Sequence, residues 1–306
     1  MTPQKSLSGR AWAELFLLAL LWGASFLSIR IALDEIGFVT TVAHRVFWAA
    51  LVLWGAVWWL RLPLPRSPRI WAAFLVMGLL NNVIPFSLMT WGQLHIETGL
   101  TSILNAATAI FGVLVAAVIF ADERLTPRRA LGVGLGFLGV ATAIGLENLT
   151  KFDLRSLAQL AVLGGTLSYA LAASWARAML SGLAPQVAAA GMLTGSALVM
   201  LPAAIALEGW PDPDLAPRTI GAIAYYAIAA TALAYLLYYR VLAMAGSGNL
   251  MLCTLLIAPV AIVLGAVVLG EALQPQAFAG FGLLALGLIV LDGRLGARLR
   301  RMRGLP

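Results

Sequence analysis

One segment of this chain occurs twice, and that repetition narrows the fold more than any other feature. Residues 98 to 146 hold an apolar run of helix length, then Ala121-Asp122-Glu123-Arg124-Leu125-Thr126-Pro127, then a stretch with Gly132, Gly134 and Gly139. Residues 246 to 292 follow the same order: an apolar run, Leu269-Gly270-Glu271-Ala272-Leu273-Gln274-Pro275, then Gly280, Gly282 and Gly287. Subtracting 123 from 271 gives 148, and that offset also relates Leu125 to Leu273, Pro127 to Pro275 and each glycine to its counterpart. The chain reads as two copies of one unit.

Composition names the solvent of that unit. With 61% hydrophobic and 11% charged residues and a mean hydropathy of +0.94, the chain is not built for water. Hydrocarbon satisfies no open backbone, so apolar runs of about 20 residues must be helices; a barrel would alternate apolar and polar residues. The runs predict ten spans, at 12–32, 39–60, 70–93, 98–120, 128–146, 156–179, 186–207, 217–239, 249–269 and 276–292. The first is too long for a secretory leader and lacks an Ala-x-Ala site, so it counts as a span. Connections are short and leave no room for a soluble domain. The single Cys253 excludes an internal disulfide and reads as a small packing residue.

Five spans per copy is an odd number, so the second copy enters the membrane from the opposite side. Loop charge agrees. With the N-terminus inside, fifteen of the 20 Lys and Arg fall on the inner side, four (Arg30, Lys151, Arg155, Arg218) on the outer side, and Arg45 within a helix. The basic pI near 10.2 therefore orients a membrane protein and does not imply nucleic acid. The expected fold is an all-α polytopic membrane protein of ten transmembrane helices in two inverted five-helix repeats. Residues 1–146 form the first, 147–155 a periplasmic connection, 156–293 the second, and 294–306 a basic cytoplasmic tail. Both termini are cytoplasmic.

Trp22-Gly23-Ala24-Ser25-Phe26, Arg45 in the second span, Glu123-Arg124-Leu125-Thr126, and Pro259 twelve residues before Glu271 together resemble the EamA-type exporters of the drug/metabolite transporter superfamily. Within that superfamily the chain is most similar to bacterial exporters of aromatic and other amino acids. The resemblance implies a bacterial inner-membrane carrier with a central cavity, an amino acid as substrate, the lipid bilayer as surroundings, and no obligate protein partner. Two positions depart from the pattern: Phe111 stands where the second copy has Pro259, and no arginine of the second copy matches Arg45.

Polar groups at membrane depth mark sites or helix glue. Asn81 and Asn82 sit mid-span, and Pro85, lacking an N–H, should free the carbonyl of Asn81 four residues earlier. Asn105 and Thr108 share one stripe of the fourth span with Thr101. Ser168 and Tyr169 lie at the centre of the sixth span, Tyr235 within the eighth, and Ser25 in the first. Trp22 and Trp48 lie too deep for an interfacial belt, whereas Trp58, Trp59, Trp71, Tyr238 and Tyr239 fall where anchors belong. These make Trp22, Ser25, Trp48, Asn81, Asn82, Asn105, Thr108, Ser168, Tyr169 and Tyr235 the candidate substrate contacts. Arg45 has three readings: a partner for a substrate carboxylate, a structural partner for helix-end carbonyls, or a side chain reaching to headgroups. His44 beside it could titrate near neutral pH. Glu123 and Glu271 lie at span ends and should cap or fix the turn before a proline-started helix.

Enzyme chemistry at depth needs a nucleophile with a base, or a metal cluster. Two histidines, one cysteine and no central carboxylate do not furnish either, so neither enzyme, cofactor nor metal is expected. A pore would show a ring of like charge or a repeated filter, and none is present. The remaining class is a secondary transporter with substrate held between inverted halves.

Overall fold

The computed structural model describes residues 8–121, 125–144, 154–245 and 252–292. The Asp122-Glu123-Arg124 turn, residues 147–153 of the connection and the 294–306 tail lie outside the described residues. All the described secondary structure is helical. We number the helices α1 (Gly9–Ala32), α2 (Phe38–Trp59), α3 (Pro68–Gly92), α4 (Thr98–Ile119), α5 (Pro127–Ile144), α6 (Leu154–Met179), α7 (Pro185–Glu208), α8 (Pro217–Ala224 continuing through Ala234–Ala245), α9 (Leu252–Leu269) and α10 (Pro275–Asp292). Each begins within three residues of an expected span. Among the described residues, seven helices are long and apolar enough to cross a membrane, and Leu256–Leu269 and Pro275–Leu291 are shorter apolar helices.

Local chemistry sets the ends. Proline opens α3, α5, α7, α8 and α10, because its missing N–H is one the first turn leaves unused. Ser8 caps α1 by accepting from the Ala11 N–H at 3.2 Å. Two helices widen near their middles into π-helical turns, α3 at Leu79–Val83 and α8 at Tyr225–Leu233. Helix α4 is interrupted at Ala106–Ala107 between Thr98–Asn105 and Thr108–Ile119.

Packing relates the halves by an internal two-fold. Exchanging each helix of the first five with the one five places later leaves the main contacts unchanged. Thus α1 on α9 becomes α6 on α4, α2 on α8 becomes α7 on α3, and α1 on α8 becomes α6 on α3, while α2–α7 and α5–α10 map onto themselves. The α5–α10 pair approaches through glycine. A Cβ added to Gly139 would lie 2.5 Å from the Leu284 nitrogen, and one on Gly287 would lie 2.7 Å from the Gly132 carbonyl oxygen. Only small residues allow that approach.

Candidate functional site: a cavity between the halves

A cavity of about 560 Å³ lies where α1, α2, α3, α4, α6, α7, α8 and α9 converge. That volume suits a small organic solute. Of the expected contacts, Trp22, Ser25, Asn81, Asn105, Thr108, Tyr169 and Tyr235 line it, and so does Arg45. Others lie elsewhere. Trp48 is 42% exposed on the outside of α2 and donates its indole N–H to His44 Nδ1 at 3.1 Å; neither borders the cavity. Asn82 is fully buried behind the wall and donates to Ser196 Oγ at 2.9 Å, tying α3 to α7.

Ser168 also stands behind the wall, and the wide turn explains why. The turn's bonding runs five residues back, as in Ile84 N–H to the Leu79 carbonyl. Pro85 therefore leaves the carbonyl of Leu80 without its backbone donor, one residue earlier than an α-helix would predict. Ser168 Oγ donates to that carbonyl at 2.6 Å. The amides nearby are held as well. Asn81 Nδ2 donates to Tyr235 Oη at 3.0 Å and lies 3.4 Å from Met192 Sδ, joining α3 to both α8 and α7.

Arg45 is the charged member of the lining. Its Nε donates to Thr231 Oγ1 at 2.9 Å, and Thr231 in turn donates to the Tyr226 carbonyl at 2.7 Å. The guanidinium lies over the Phe86 ring, 3.9 Å from its centroid. Tyr169 packs edge-on against the same ring at 6.4 Å. Among the described residues no carboxylate approaches Arg45, and its two Nη groups make no protein hydrogen bond. The structural partner is thus the Thr231 hydroxyl of α8 and not a helix-end carbonyl. Arg45 lines the cavity with its Nη donors free of protein partners, and a guanidinium with free donors is a receptor for a carboxylate.

Several lining residues escaped sequence reasoning. Thr90, Gln93, Thr231, Tyr238 and Tyr239 all border the cavity. Tyr238 and Tyr239, expected as interfacial anchors, instead form an aromatic wall with Trp22, at ring separations of 5.2 and 5.9 Å. The signal was present: Thr231, Tyr235, Tyr238 and Tyr239 fall at i, i+4, i+7 and i+8, one face of a helix.

The ends of the bundle differ. We call the end where α1 begins proximal and the other distal. At the distal end four carboxylates each cross between halves. Glu208 at the end of α7 accepts from the Val39 and Thr40 N–H groups that start α2, at 3.0 and 2.8 Å. Glu271 after α9 accepts from the N–H and hydroxyl of Thr98 at the start of α4, at 3.0 and 2.7 Å. Its expected capping role is therefore met on a helix of the other half. Glu97 receives a bidentate pair from Arg155 of α6 at 2.9 and 3.2 Å, and Glu35 accepts from Ala216 N–H before α8 at 2.9 Å. At the proximal end, the inter-half ion pair among the described residues is Arg240–Glu14 at 2.6 Å.

Comparison with known proteins fixes the class. The model of the EamA-like transporter family matches residues 9–145 and again 156–291, one match per half. The chain belongs to the EamA-like transporter family. Curated relatives of this EamA protein match along nearly the whole length. An uncharacterized transporter of Archaeoglobus fulgidus is 25% identical, over 92% of this chain and 98% of that one. A probable terminal-alkyne amino-acid exporter of Streptantibioticus cattleyicolor is 28% identical, over 95% of this chain and 96% of the other. A solved crystal structure superposes with a TM-score of 0.65 at 16% identity, over 94% and 98% of the two chains, a likeness of fold alone. The EamA protein is a multi-pass membrane transporter and not an enzyme.

Proposed function

We propose that this EamA transporter exports amino acids, aromatic and other neutral ones, from cytoplasm to periplasm by alternating access. Ten spans form two inverted repeats in a bacterial inner membrane, with the proximal end and both termini cytoplasmic. The observation that carries the reading is Arg45, without a carboxylate partner among the described residues, in the lining of a cavity built by both halves. Arg45 and the Tyr169 hydroxyl receive the substrate carboxylate; Asn81, Asn105, Thr108 and Ser25 supply neutral polar contacts, and Trp22 and Tyr235 take the side chain. The amino-acid exporter of Streptantibioticus cattleyicolor supports the substrate class. The distal carboxylates hold the periplasmic mouth closed, and release requires them to part.

Among the described residues, neither a carboxylate nor a histidine lines the cavity, which favours facilitated transport along the substrate gradient over proton exchange. Counterflow of labelled amino acids into liposomes of equal internal and external pH tests this. It should be robust for aromatic and other neutral amino acids, and an imposed pH gradient should change its initial rate little. Uphill accumulation driven by the pH gradient and lost in His44→Ala would overturn the facilitated mechanism. Absence of counterflow for every amino acid tried would overturn the substrate class.

A further inference from the structure

A second concavity lies at the proximal end, apart from the transport cavity. It measures about 830 Å³ and is lined by Trp54, Val57, Trp58, Trp59, Arg61, Leu62 and Leu64, where α2 stops and the connection to α3 begins. Its back wall is fixed. Trp54 Nε1 donates to Thr194 Oγ1 at 2.8 Å, and Trp71, stacked on Trp54, donates to the Pro65 carbonyl at 3.0 Å. Its front is open: Trp58 and Trp59 are 79% and 80% exposed.

The residue at the mouth of this groove is set at a conformational cost. Arg61 N–H bonds the Trp58 carbonyl and Leu62 N–H the Val57 carbonyl, both at 3.1 Å, which is the helix stop whose left-handed position glycine normally fills. Arg61 holds φ of 51° there, the one non-glycine residue with positive φ among the described residues. Glycine would adopt it freely. A strained residue kept in place points to use of its side chain. The internal two-fold sharpens this. The first residues of α2 and α7 are Phe38 and Pro185, and 185 minus 38 gives 147; adding 147 to 61 gives Glu208. Glu208 reaches across to the start of α2, whereas Arg61 at the opposite end of the same helix pair touches no carboxylate. Arg66 and Arg69 follow in the same connection, exposed and likewise without an ion pair among the described residues.

We propose that this groove binds an anionic phospholipid, with its phosphodiester on Arg61 and its acyl chains along Trp58 and Trp59. Charge and shape both select that occupant. Free arginine donors beside an open apolar wall, at the level where tryptophans anchor a bilayer, match a charged headgroup continuous with hydrocarbon. A soluble anion would satisfy Arg61 and leave the tryptophan wall uncovered.

Melting temperatures of the purified protein in phosphatidylcholine nanodiscs, with and without phosphatidylglycerol, test the site. Phosphatidylglycerol should raise the melting temperature of the unmodified protein, and native mass spectrometry should show retained lipid. Arg61→Gly should melt about 2 °C higher in phosphatidylcholine alone, because the strain is relieved, yet lose at least half of the phosphatidylglycerol increment. Arg61→Gln, which keeps the strain and removes the charge, should lose the increment without that gain. Arg218→Gln at the distal end should keep it. An undiminished increment in both Arg61 variants, or an equal increment from inorganic phosphate, would overturn the proposal.

Discussion

Helices α3 and α8 open at Pro68 and Pro217, and each widens into a π-helical turn near its middle. Subtracting 68 from 217 gives 149, an offset that pairs Asn82 with Thr231, Phe86 with Tyr235, Met89 with Tyr238 and Thr90 with Tyr239. All of these except Asn82 line the cavity. The backbone device is shared and the chemistry is not. In α3 the paired position carries an amide that locks onto Ser196 of α7. In α8 it carries a hydroxyl that holds Arg45 of α2. Helices α2 and α7 repeat the lesson, since the offset of 147 pairs Arg45 with Met192, whose sulfur faces Asn81. One side of the two-fold carries the charge, and on the other side the equivalent positions are neutral and bond different neighbours. Duplication supplied the frame, and the side chains of the two halves differ at the cavity.

The region that kept its symmetry gives the largest expected effect. Gly139 and Gly287 are equivalent, and a Cβ at either meets backbone of the partner helix. Gly139→Val and Gly287→Val should each destabilise the protein by about 3 kcal/mol or more, and by similar amounts. Thermal unfolding in detergent measures this, and a large loss at one position with none at the other would break the two-fold there.

Arg45→Met places the second half's residue in the first. Losing a charge-assisted hydrogen bond to the substrate is worth about 1.5–3 kcal/mol, so apparent affinity in counterflow should fall about 10–100-fold, with Arg45→Lys intermediate. Undiminished counterflow by a folded Arg45→Met protein would mean that the charge asymmetry does not serve the substrate.

The smallest effect concerns the two ends. Glu208→Gln or Glu271→Gln keeps the side-chain shape but weakens a charged cap, which should favour distal opening by about tenfold. Labelling an Asn105→Cys reporter in a Cys253→Ser background with impermeant maleimide reads the sidedness. Reduced stability with no gain in distal labelling would make these carboxylates simple helix caps.

Much of the scaffold was legible before any coordinate. Helix starts followed from proline and from apolar runs, because those depend on neighbours in sequence. The glycine rows of α5 and α10 announced close packing for the same reason. The site was legible in part. Asn81, Tyr169 and Tyr235 stood out as polar groups at depth, but Trp48 did too, and it faces away from the cavity. Thr231 shared a helix face with Tyr235, Tyr238 and Tyr239 and was legible by spacing, whereas Gln93 follows the wide turn of α3, which changes the phase at which a helix presents its face.

The sequence by itself determined a membrane-embedded duplication and where its helices begin, since hydrophobicity and capping act locally. Tertiary structure decided which side chains meet. Arg45 and Thr231, 186 residues apart, share no local signal, and neither do Glu271 and Thr98. Their contacts exist only because packing sets helices of one half against helices of the other, and a buried donor is satisfied by whatever acceptor packing delivers.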